Sequence, residues 1–377
     1  MPHTETPNDA PAGNVLLPLP LAGEGRGEGP RAQKRIPVTV LTGFLGSGKT
    51  TLLNRLLHLP DMHGTAVVIN EFGSVGLDHD LVDHTEENMV LLANGCICCT
   101  IRGDLVEAFE RLAKTPAAQR GELRHVVLET TGLADPAPIL HTLMGDPRLH
   151  SAWRLAGVAC TVDVCHAMAT LDQHPEAVKQ AAVADRLLLT KTDLVPAHTL
   201  GAIEQRLREI NPLADVRSDP HGALLALRQL LARPASAFTA LPDPPAPLFF
   251  PAAPSNEHDP NRHDDRIRSH VIVRDRPLSR EGFFAWLDMI ARMRGDDLLR
   301  VKGIVHLDDD PEHPLVIHGV QHLFHPPETL PRWPSDDRRT RIVFITRGID
   351  AEDIDATLSV FERRRPRAAP APTPQPD

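Results

Sequence analysis

Apolar residues along the first 240 positions of this 377-residue chain follow two alternating rhythms. Short β-branched or leucine-rich runs stand at 36–40, 65–70 (TAVVIN), 125–129 (HVVLE), 155–162 (LAGVACTV) and 186–190 (RLLLT). Runs of this length bounded by polar residues read as buried strands. Between or after them, 52–58, 104–114, 136–144, 175–184 and 200–210 carry the wider apolar spacing of helices. Strand and helix in alternation predict an α/β fold. The expected core is a doubly wound, mostly parallel sheet with ligands at the carboxyl ends of its strands.

The rhythm then breaks. Proline and asparagine crowd the stretch LPDPPAPLFFPAAPSNEHDPNR, so residues 241–264 read as a linker after a first domain over 35–240. Beyond it, 267–273, 298–305, 315–320 and 341–345 read as strands and 281–292 as a helix, a smaller α+β domain over 265–362. Residues 1–34 and 363–377 are too rich in Pro, Gly and charge to bury a core and read as a disordered extension and tail.

Residues 36–53, IPVTVLTGFLGSGKTTLL, change the picture most. A strand leads into G-x-x-x-x-G-K-[ST] and then a helix start, the setting in which a glycine-rich loop cradles phosphate. Gly43, Gly46, Ser47 and Gly48 would close backbone N–H groups around the phosphates, beside the helix N-terminus that Thr51 helps to form. Lys49 would reach the β- and γ-phosphates, and the Thr50 hydroxyl would ligate Mg²⁺. A second acid for the metal shell is expected at a neighbouring strand end, and Glu129 supplies it, followed by Gly132, whose N–H can sense a γ-phosphate. Lys191 and Asp193 follow the strand at 186–190; a carboxylate accepts both donors of guanine's N1–H/amine edge and repels adenine's N1, so GTP is favoured over ATP. With Thr190 they resemble the N/T-K-x-D signature of GTPases.

Chemistry of another kind lies between these elements, in NGCICCT. Cys96, Cys98 and Cys99 can converge on one soft cation, supplying three of four tetrahedral ligands for Zn²⁺ or a thiophilic equivalent. Glu71, at the end of the second strand, either orients water near the phosphates or adds an oxygen ligand to that metal. Buried apolar cysteines or a redox pair at Cys98–Cys99 are the duller alternatives. Cys160 reads as core, and the scattered histidines of the second half as mostly surface groups, with the 258–270 set a candidate for metal.

Composition trims the remaining function classes. A net charge of −10 argues against a nucleic-acid partner, and no run approaches a membrane span. Five cysteines, three of them clustered, fit reduced thiols in the cytoplasm better than a disulfide framework. Arginine far outnumbers lysine, so the lysines at 49 and 191 suggest sites that want a compact ammonium.

Together these motifs resemble the CobW-type metallochaperone GTPases. The resemblance rests on TGFLGSGKTTLLNRLL (42–57), INEFGSVGLD (69–78), NGCICCTIRGDL (94–105), ETTGLADPAPI (129–139) and LLLTKTDLV (187–195). LLRVKGIVHLDD (298–309), HGVQHL (318–323), Trp333 and RIVFITRGID (341–350) resemble the family's C-terminal domain. The resemblance implies a GTPase using Lys49, Glu71 and Glu129, which holds Zn²⁺ (alternatively Co²⁺ or Fe²⁺) at Cys96, Cys98 and Cys99 and passes it to a client metalloprotein. The GLADP stretch looks like the general branch of the family, so cobalt is not the default metal, and the family's His-rich loop is degenerate here. A homo-oligomer dependent on nucleotide or metal is a further expectation. Two other readings stay open: an ATP-dependent kinase or ligase, and a nucleotide-gated binding module with structural cysteines.

Overall fold

The computed structural model of the protein describes residues 35–70, 89–92, 101–231, 267–325 and 327–362. The expected extension (1–34), linker (241–264) and tail (363–377) lie outside the described residues, as do Glu71, Cys96, Cys98 and Cys99. Among the described residues, no helix is long and apolar enough to cross a membrane.

Seven strands form the first sheet: β1 (Ile36–Gly43), β2 (Thr65–Asn70), β3 (Met89–Leu92), β4 (His125–Thr130), β5 (Trp153–Asp163), β6 (Arg186–Thr190) and β7 (Asp215–Arg217). Their order is β3-β2-β4-β1-β5-β6-β7, and every neighbouring pair is parallel. Around them run α1 (Lys49–Leu57), α2 (Ile101–Ala113), α3 (Pro116–Gln119), α4 (Ala137–Gly145), α5 (Ala167–Gln173), α6 (Pro175–Val183), α7 (Ala197–Ile210) and α8 (Pro220–Leu231). The strands are apolar on both faces because helices cover both. Val38 and Val40 pack with Leu105 and Phe109 of α2 and Leu140 of α4. On the other side, Leu41 meets Leu52, Leu53 and Leu56 of α1 and Leu227 of α8. The chain leaves β1 toward β2, β3 and β4 and later crosses to β5, β6 and β7, so the winding reverses beside β1. That reversal opens a crevice at the strands' carboxyl ends, where Gly43, Thr130, Asp163 and Thr190 stand.

The expected strands and helices are all present, with shifted ends. α1 begins at Lys49 rather than at residue 52, because Gly48, in the left-handed region (φ 86°), caps it and turns the loop straight into the helix. Elements not expected are β3, β7, α3, α5 and α8 in the first domain.

The second domain consists of β8 (Ile267–Arg274), α9 (Arg280–Arg294), β9 (Leu298–Val305), β10 (Leu315–Val320), β11 (Leu323–Phe324), β12 (Glu328–Thr329), β13 (Thr340–Arg347) and α10 (Ala351–Glu362). Its sheet is antiparallel, ordered β11-β10-β9-β13-β8 with β12 on β10. Ser279 caps α9 by accepting the Gly282 N–H at 3.0 Å. One sheet face, with Val301, Val305, Ile342 and Phe344, buries Phe283, Trp286 and Leu287 of α9 and Ile354 and Leu358 of α10.

The opposite face rests on the first domain. Ile345 and Leu299 join the core of α6 and α7, and Val320 joins that of α4. Between these apolar patches lies a buried ionic cluster. Asp185, just before β6, accepts from Arg300 at 2.6 Å and Lys302 at 2.5 Å, both on β9, and from the Val158 N–H at 2.9 Å. Arg300 also donates to the Val183 carbonyl, at the carboxyl end of α6, at 3.0 Å. These three side chains are 6–9% exposed.

The surface reading of the second-half histidines is corrected here. His270, His306, His318, His322 and His325 are partly buried, and among the described histidines of the second domain only His313 is exposed. His318 lies over the ionic cluster, where burial, Lys302 and Arg300 hold its pKa well below the usual imidazole range. Burial and Arg300 hold His325 at about 4. His270 serves the fold, its Nε2 lying 2.9 Å from the Ile349 carbonyl. Neutral imidazoles suit an interface that already contains two cations.

Candidate functional site

β1 delivers the phosphate loop to the crevice. At Gly43 a Cβ would lie 2.3 Å from Thr161 Oγ1 and 2.5 Å from its carbonyl, so only glycine lets the loop leave β1 against β5. Ser47 is buried, its hydroxyl 2.7 Å from Thr161 Oγ1. Gly46 and Gly48 follow with positive φ, and Lys49 and Thr50 open α1. Thr51 is exposed on that first turn.

Lys49 is 8% exposed, and its ammonium donates to the Gly43 carbonyl at 2.9 Å and the Phe44 carbonyl at 3.1 Å. The cation therefore sits under the loop it is meant to serve. Thr50 donates its hydroxyl to Glu129 Oε1 at 2.8 Å, and Glu129 is 6% exposed at the end of β4. A hydroxyl joined to a buried carboxylate is the oxygen-donor set that Mg²⁺ takes. These residues fit that ion, which would supply positive charge against the phosphates. Gly132 comes close to the loop: a Cβ there would stand 2.7 Å from Leu45 N and 2.8 Å from its Cα. Gly132 thus has to be glycine for the segment after β4 to touch the phosphate loop.

The third element is the turn after β6. Thr190 donates its hydroxyl to the Ser47 carbonyl at 2.8 Å, which ties this turn directly to the phosphate loop. Lys191 adopts a left-handed conformation (φ 59°), and its ammonium lies 2.8 Å from Asp163 Oδ2. With the head anchored, the aliphatic stem is left as a surface over which a flat base can lie. Asp193 is exposed in the 3-10 turn Thr192–Leu194. Burial pushes the Asp163 carboxyl up, but hydrogen bonds from Lys191, His166 and the Cys165 N–H outweigh it and hold the group below its usual range. The structure thus brings the phosphate loop, Glu129, Gly132 and Thr190–Asp193 to one end of the sheet.

Three contributors were not anticipated from sequence. Asp163 ends an apolar strand as Glu129 does, which was a usable signal. Thr161 and Gln180 carried none, because a strand threonine and a helix glutamine are ordinary residues; Gln180 donates to the Gly132 and Ala134 carbonyls. Cys160 is core as expected, and burial pushes its thiol up to about 12. Among the described residues no group of three His, Cys, Asp or Glu side chains is arranged to hold a metal.

This combination, a parallel sheet with a phosphate loop, a strand-end acid and a T-K-x-D turn joined to a second α+β domain, defines a two-domain P-loop GTPase. The chain belongs to the CobW/HypB/UreG family: the family's nucleotide-binding domain matches residues 37–218, and the cobalamin synthesis protein cobW C-terminal domain matches 267–362. It is 33% identical over 328 residues to the zinc chaperone YjiA of Escherichia coli K12, covering 86% of this chain and 98% of that protein. It is 29% identical over 350 residues to the zinc chaperone CobW of Pseudomonas aeruginosa, covering 84% and 88% of the two. The crystal structure of Zn(II)-bound YjiA GTPase from E. coli superposes with a TM-score of 0.65 at 27% identity, across 88% of this chain and all of that one.

The expectation that Asp193 reads the base has a direct check. Asp193→Asn should lower GTP affinity on the order of 10²-fold while improving binding of xanthosine triphosphate, whose C2 carbonyl replaces guanine's amine donor. Competition with a fluorescent GTP analogue measures both. An ATP-dependent kinase or ligase would instead keep its activity in this variant.

Proposed function

We propose that this protein is a cytoplasmic GTP-hydrolysing zinc chaperone that gives its metal to a client metalloprotein. The observation that carries the reading is the match to zinc chaperone YjiA along nearly that protein's whole length, in both domains. The nucleotide chemistry belongs to Lys49, Thr50, Glu129 and Gly132 at the phosphates and to Thr190, Lys191 and Asp193 at the base. Lys49 neutralises charge on the β- and γ-phosphates, and Thr50 and Glu129 would hold Mg²⁺. The cargo site is assigned to Cys96, Cys98 and Cys99 with Glu71, an acid and three thiols suited to Zn²⁺.

In the chain, Glu71 directly follows β2, which pairs with β4, and the cysteines come shortly after β3, which pairs with β2, so the metal residues are close in sequence to strands of the nucleotide sheet. GTP is therefore expected to tighten zinc binding, and by linkage zinc should tighten GTP binding by the same factor. The test is a zinc titration against a competing chelator, with protein loaded with a non-hydrolysable GTP analogue or with GDP. About 10-fold tighter binding in the GTP state is expected, within the usual range of coupling. Cys98→Ser should abolish the tight site. Equal zinc affinity in the two states would overturn the coupling, and retention of the tight site in Cys98→Ser would overturn the cysteine assignment.

A further inference from the structure

The segment that follows β4 is held from behind by one helix. Gln180 of α6 is fully buried, and its amide nitrogen donates to the Gly132 carbonyl at 3.1 Å and the Ala134 carbonyl at 3.0 Å. Two carbonyl acceptors fix the amide's orientation, since a flipped group would set oxygen against oxygen. The amide oxygen is left, among the described residues, with no hydrogen-bond partner although it is buried. An unsatisfied buried acceptor is costly, so the glutamine is explained by what its N–H groups do. The adjacent Lys179 lies 3.1 Å from Asp135 Oδ2, while Asp135 Oδ1 accepts the Ala137 N–H at the start of α4. Residues 132–135 are thus attached to α6 at three points, and Gly132 is pressed against Leu45 on the other side. The base of this clamp is itself fixed, because Arg300 of the second domain holds the last carbonyl of α6.

We infer that Gln180 and Lys179 are positioning residues for GTP hydrolysis: they seat the 132–135 segment on α6 and so set where the Gly132 N–H meets the γ-phosphate. The inference rests on the assignment of Gly132 to the γ-phosphate. Each acts through the backbone of the segment it holds.

The full-length protein is tested as wild type, Gln180→Met, Lys179→Met, Lys179→Arg and Gly132→Ala, by GTP turnover and by displacement of a fluorescent nucleotide with GTP or GDP. Gln180→Met keeps the side-chain length and removes both N–H donors. It should lower kcat about 10-fold or more, as expected of a misplaced group, and shrink the preference for GTP over GDP, with GDP affinity unchanged. Lys179→Met should act in the same direction more weakly, and Lys179→Arg, which keeps the cation for Asp135, should restore turnover. A purely structural glutamine would weaken both nucleotides alike and leave their ratio intact. If Gly132→Ala impairs hydrolysis while Gln180→Met and Lys179→Met keep wild-type turnover and nucleotide ratio, the clamp is refuted and the Gly132 assignment stands. If Gly132→Ala is itself without effect, that assignment fails and the clamp with it. Should Gln180→Met not fold, the half-exposed Lys179 pair of variants decides the matter.

Discussion

Replacing Asp185 by alanine should destabilise the protein by about 3–5 kcal/mol, the cost of removing one partner from a buried ionic set. Arg300 and Lys302 would be left in a site only a few per cent exposed, beside His318, which cannot take up negative charge. The Val158 N–H would lose its acceptor as well. Urea unfolding followed by tryptophan fluorescence suits the measurement, because Trp153 reports on the first domain and Trp286 on the second. Asp185→Asn should fall between the two, keeping an acceptor for one donor but not the charge. Unfolding midpoints equal to wild type in both variants would mean that the apolar contacts alone carry the interface.

The second large effect belongs to Lys49. Lys49→Ala should reduce GTP hydrolysis at least about 10²–10³-fold, the scale of losing one charge-stabilising donor at a transition state. Thermal unfolding should hardly change, since the helix that begins at this residue is anchored by Leu52, Leu53 and Leu56. Lys49→Arg is the sharper variant. The ammonium lies within 3.1 Å of two backbone carbonyls in a nearly closed site, and a planar guanidinium does not fit that geometry. Recovery of full activity by arginine would refute the argument for a compact cation.

Lysine usage shows how much the sequence disclosed. Among so many arginines, Lys49 and Lys191 stood out, and both are found at the nucleotide end with defined carbonyl or carboxylate partners. Lys179 and Lys302 obeyed the same rule, on Asp135 and Asp185, but their partners lie 44 and 117 residues away, beyond what local spacing can reveal. The parallel strands were legible because a strand buried on both faces is apolar almost throughout. α8 was not expected, although its signals are local: Asp219 accepts the Gly222 N–H at 2.7 Å just before a leucine-spaced run. β7 is three residues long and carries no periodicity. The histidines were misjudged for a different reason. Scattered among Asp, Pro and Arg they look solvated; the packing of β10 and β11 against the first domain shields His318, His322 and His325, while His270 and His306 are covered within the second domain.

The ionic cluster also bears on how such proteins can be assembled from parts. Its carboxylate comes from one domain and both its cations from the other, so neither half has a balanced interior by itself. A chimera that joins this nucleotide-binding half to a foreign second half must bring a matching acid–base set to the position of Asp185, Arg300 and Lys302. The alternative is to replace all three together by well-packed apolar side chains, a change that buried interfaces tolerate. In this respect the two halves are interchangeable only as a matched pair.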